Sequence, residues 1–145
     1  MTTKKTKTTA ETQTTTDEMN EEFPSGMKQE LGFYIRSAAK RYDDARCKLI
    51  ATAQTNPISA ITWDAEAMVK AQAQHEMYMC LERGMAKADP RKVLLELADE
   101  VDYRIRSFFG SNSTSMFSNA VERAKADAYV HLLDEIKGLM KHFGI

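Results

Sequence analysis

On either side of Pro57 lie two stripes of apolar and small residues that mirror each other. Before it, Leu31, Ile35, Ala38, Tyr42, Ala45 and Leu49 recur at steps of four and three; after it, Ala67, Ala71, Gln74, Tyr78, Leu81 and Met85 do the same. Such steps keep side chains on one face of an α-helix. Folding the chain about Ile58 sets Leu31 against Met85, Ile35 against Leu81, Ala38 against Tyr78, Tyr42 against Gln74, Ala45 against Ala71 and Leu49 against Ala67. A single fold point serves every layer, which is the signature of an antiparallel pair with coiled-coil-like packing. Within it Tyr78 meets a small residue, and the Tyr42 hydroxyl and the Gln74 amide can satisfy each other.

The breaks in the pattern place four helices. A first helix opens at "FPSGM", with Ser25 as its cap, and stops at "TNPIS", because Pro57 also restricts Asn56. Ser59 is expected to cap the second helix, with Ile58 and Trp63 closing a hydrophobic staple across the cap. That helix ends near Ala88, and Asp89 and Pro90 then supply the cap and first position of a third. The third runs to Phe109 with Gly110 as left-handed C-cap. After "GSNSTS", where Ser115 or Ser118 can cap, the fourth runs from about Met116 to Phe143. No strand alternation and no internal repeat is found. The expected fold is all-α: a four-helix bundle-like domain of two antiparallel hairpins over residues 23–145.

Residues 1–22 are rich in Thr and nearly free of large apolar groups, so they read as a flexible, disordered tail. Its "MTTKKTKTT" start has no apolar stretch behind it, so no secretory signal is expected, and two Cys fit a reducing, cytoplasmic setting. With Lys plus Arg at 20 against 21 for Asp plus Glu, the charge of −1 provides no long-range pull toward nucleic acid or an anionic membrane. A Thr/Lys tail on a small helical domain without catalytic signals resembles accessory proteins of bacteria, phages or mobile elements.

The stretch most like chemistry is "AQAQHEMYMCLERGM", residues 71–85. Once Gln74, Tyr78, Leu81 and Met85 are assigned to the seam, the rest divides between two flanks. Met68, His75 and Met79 fall on one; Met77 and Cys80 fall on the other with Val69 and Ala73. Met68, His75 and Met79 suit Cu(I) in kind but do not complete a ligand set. A second helix that is apolar almost all round is the expected centre of the bundle.

Other chemistry is excluded by spacing. The residues three before His75, His131 and His142 are Gln72, Ala128 and Leu139, so no di-iron Glu-x-x-His motif exists. "HEMYM" is not a zincin motif, and "GSNSTS" is not a P-loop. Cys47 and Cys80 would lie about 16 Å apart along the hairpin, too far for a disulfide. Glu96, Asp99 and Glu100 read as a solvated acidic face. The expectation is a non-enzyme without cofactor or metal.

Apolar surface is left over at the end of the fourth helix. Its stripe pairs with the third helix as Ile105 with Val121, Ala98 with Ala128 and Leu94 with Leu132. Ile136, Leu139, Met140, Phe143 and Ile145 then overhang, to be buried either inside the monomer or against another chain. These residues, with Met68 and Met79, are the candidate surface for a protein partner, either self or heterologous. The alternative is nucleic-acid binding through Arg36 and Lys40 on the outer face of the first helix, aided by the tail lysines.

Overall fold

Four helices follow one another, α1 (Ser25–Thr55), α2 (Pro57–Met85), α3 (Pro90–Gly110) and α4 (Met116–Phe143), with no strand among the described residues. The computed structural model describes residues 25–110 and 116–145. The tail at 1–22 and the link at 111–115 lie outside the described residues. So do the side chains of the candidate caps Ser25, Ser115 and Ser118.

The first hairpin turns where the sequence predicts, but by a different device. Asn56, not Ser59, is the cap: its Oδ1 accepts from the Ser59 amide at 3.1 Å, and Pro57 follows at the first helical position. Ile58 and Trp63 form no buried staple, since both are largely exposed. The first turn, Pro57–Ser59, passes into a π-helical stretch, Ala60–Asp64, before α-helix resumes at Ala65–Met85. A π turn holds an extra residue and so re-aims the side chains around it.

The register of the hairpin holds to within a residue. Tyr42 stacks on His75, the neighbour of the expected Gln74, at 5.4 Å between ring centroids and 11° between planes. Thr52 reaches Asp64, as folding about Ile58 requires.

At the centre is α2, which packs against all three other helices, while α1 packs chiefly on α2. The α2–α3 approach is close because Gly84 has no side chain; a Cβ there would run into Val93 Cγ1. Asp89 caps α3 as expected, its Oδ1 accepting from the Arg91 amide at 3.0 Å. Between α3 and α4, Ile105 lines one cleft with Ala124, and Arg104 donates to the Tyr129 hydroxyl at 3.3 Å.

The core gathers at one end of the bundle. It joins Met27, Leu31, Ile35 and Ala38 of α1, Ala73, Met77, Tyr78 and Leu81 of α2, Val93, Leu94, Leu97 and Val101 of α3, and Ala128, Tyr129, Leu132, Leu133, Ile136 and Leu139 of α4. Each fully buried Leu or Ile among these contributes about 1.5–3 kcal/mol. Beyond Ala38, α1 has no buried residue.

Of the two destinations open to the overhang, the structure shows burial within the chain. α4 outruns the start of α3, and α2 with the first half of α1 covers it. Ile136 and Leu139 are buried, and Met140, Phe143 and Ile145 pack against the core. The chain end is folded back by a Schellman motif: Gly144, at φ 69°, donates to the Lys141 carbonyl at 3.3 Å, and Ile145 donates to that of Met140 at 2.9 Å. The motif brings Ile145 back toward Met140 on the bundle. His142 Nε2 lies 3.3 Å from Glu30 Oε2 on α1, tying the two helices at that end.

Candidate functional site: the exposed apolar end of the first hairpin

At the opposite end the usual arrangement of polar and apolar residues is inverted. Within residues 58–64, Ile58, Ile61 and Trp63 are 79%, 73% and 72% exposed, whereas Asp64 is 5% exposed. The inversion follows from the π-helical stretch, which ends at Asp64. The Asp64 carboxylate turns toward α1, where it meets Lys48 Nζ at 3.0 Å and a hydrogen bond from Thr52. Those partners, Thr52 first and Lys48 second, hold its pKa below the usual carboxylate range despite the opposing effect of burial. With Asp64 and Ala60 turned inward, the large apolar side chains are left facing out.

Beside them runs a groove of about 380 Å³, between the start of α2 and the first turns of α4. Ile61, Met68 and Val69 line one wall, and Ala120, Val121 and Ala124 the other. The charges around it are already paired. Lys70 Nζ reaches Asp127 Oδ2 on α4 at 2.5 Å and Glu66 Oε1 at 2.9 Å. These contacts raise the Lys70 pKa, through Asp127 first, and lower that of Asp127.

The residues singled out from sequence therefore separate. Met68 lines the groove, while Met79 is exposed further along α2 and away from it. His75 lies flat on Tyr42. Among the described residues no group of three or more His, Cys, Asp or Glu could hold a metal ion. Glu96 pairs with Lys92 at 3.8 Å and Glu100 with Arg104 at 2.7 Å, which scatters the acidic face. Cys47 and Cys80 are exposed free thiols. Arg36 and Lys40 are exposed on α1.

Sequence reasoning assigns Ile58 and Trp63 to a cap and gives Ile61 no role. A signal for them was present: Ile58, Ile61, Ala65 and Met68 recur at steps of three, four and three, a second apolar stripe on α2 beside the seam.

Two polar features inside the bundle offer less. Burial pushes the Tyr78 phenol far above its ordinary pKa, and the nearby Glu135 carboxylate adds to the rise, yet no hydrogen bond of ordinary geometry joins them. In the cleft of about 470 Å³ between α3 and α4, Arg104 is taken up by Glu100 and Tyr129. No helix among the described residues is long and apolar enough to cross a membrane. No family model, curated protein or solved structure matches the chain.

Proposed function

We propose that this is a non-enzymatic protein-interaction module, a cytoplasmic accessory or structural subunit that docks through the apolar end of its first hairpin. The observation that carries the reading is the inversion at residues 58–64, with large apolar groups outside and a carboxylate inside. Sequences depart from the ordinary burial pattern mainly where function requires it. Large exposed aromatic and aliphatic groups beside an apolar groove are the usual material of interface anchors. A photo-crosslinking residue at position 61, introduced in the source cell, tests the reading. The expected result is a discrete adduct that disappears when Trp63→Asp is added. Absence of any adduct would overturn it.

A second reading, nucleic-acid binding, is favoured by one observation. Phe33 is 62% exposed at helical spacing from Arg36 and Lys40, so an aromatic surface lies beside two cations. It predicts affinity for single-stranded DNA or RNA that falls steeply with salt and drops in the Arg36→Ala, Lys40→Ala double variant. No mobility shift at low salt would end that reading.

A further inference from the structure

We infer that the partner at the open end is a second copy of this chain, the two copies docking about a two-fold axis; this rests on the proposal that the hairpin end is a docking surface. Three observations point to self-association.

First, the bundle is unfinished at that end. α1 contributes four buried side chains in its first half and none after Ala38, so its second half packs on α2 with one side open. A second hairpin arm would supply the missing layer.

Second, projections and groove lie next to each other on one surface. Ile58 stands out on the same face of α2 as Ile61 and Met68, which line the groove with Val69 and Val121. A two-fold contact can present the projections of each copy to the groove of the other, because an isologous interface uses the same patch twice.

Third, size and charge permit it. Ile50, Ile58, Ile61 and Trp63, all more than half exposed, present on the order of 500 Å² of apolar surface, the size of patch that on a monomer is often functional. Two copies would cover about 1,000 Å² from these side chains alone, close to the lower bound of a stable interface before the groove walls are counted. Lys48 pairs with Asp64, Lys70 bridges Glu66 and Asp127 with one negative charge left over, and the net charge of −1 sets little repulsion between copies.

Sedimentation equilibrium of the full chain over a wide concentration range is the test. A concentration-dependent dimer is expected, weakened about tenfold or more by Ile61→Asp and by Trp63→Asp. Phe33→Asp and Leu95→Asp, at exposed apolar positions elsewhere, should leave it unchanged. Ile61 and Trp63 are solvent-facing, so far-ultraviolet circular dichroism should show both variants folded. A monomer throughout, or a dimer indifferent to Ile61 and Trp63, overturns the inference. The crosslinking experiment separates the two levels: an adduct with a different protein removes the second copy and keeps the docking surface, whereas no adduct removes both.

Discussion

The two ends of the bundle hold the same kinds of residue in opposite dispositions. At the end where α1 and α4 meet, Leu31, Leu81, Leu94, Leu132 and Ile136 are wholly enclosed, and the chain terminus is turned back over them. At the other end, Ile50, Ile58, Ile61 and Trp63 face outward and a carboxylate occupies the inside. Composition does not separate the ends; helix phase and neighbours do. Where α1, α2, α3 and α4 converge, every apolar stripe finds a partner. Where α1 has only α2 beside it, the π turn settles which side chains point in. An apolar run therefore becomes core or surface according to how many helices reach it.

That contrast can be broken by mutation, beginning with the largest effect. Leu139→Asp places an unpaired charge in the closed end and should cost about 3–5 kcal/mol or prevent folding, measured by urea denaturation. The same change at Ile61, seen in dilute solution, should alter stability by less than about 0.5 kcal/mol. Next, Gly84→Ala should destabilise by about 1–3 kcal/mol, because the added methyl forces Val93 or the α2–α3 approach to give way. Gly144→Ala should cost about 1 kcal/mol through its left-handed backbone, read as a lower urea midpoint with an unchanged slope.

The smallest effect sharpens the open end. The folded-state pKa of Asp64 lies below its unfolded value, so its stabilisation is present above the ordinary carboxylate range and lost as pH falls through it. Asp64→Asn should therefore be less stable than the parent at neutral pH, with the difference shrinking toward zero in acid. Thermal melts of both proteins across that range give the comparison; a difference independent of pH would detach Asp64 from Lys48 and Thr52.

Much of this was legible in the sequence, for identifiable reasons. The seam of α1 and α2 is spelled by periodicity and one proline, and Tyr42 stacks one residue from its expected partner. The Asp89–Pro90 restart is local chemistry and is found as read. The π turn was not legible, since nothing in "PISAITWD" distinguishes it from α-helix, and with it went the inward turn of Asp64. The destination of the α4 tip was also hidden. Pairing α4 with α3 alone left Ile136 and Leu139 uncovered; in the bundle they join one cluster with Tyr78 and Leu81 of α2 and Met27, Leu31 and Ile35 of α1. Gly144 was passed over as a cap, although it stands directly after Phe143 at the end of the α4 stripe.

Amide hydrogen exchange, followed as a function of protein concentration, tests most directly whether one end is finished by the chain and the other by a second copy. Amides of residues 31–38 and 129–139 should exchange only through global unfolding, at a rate insensitive to concentration once the fold is populated. Amides of residues 45–69 should open readily in dilute protein and become markedly slower as the concentration rises. Equal protection along the whole of α1 in dilute solution, or an open end whose exchange ignores concentration, would contradict the account.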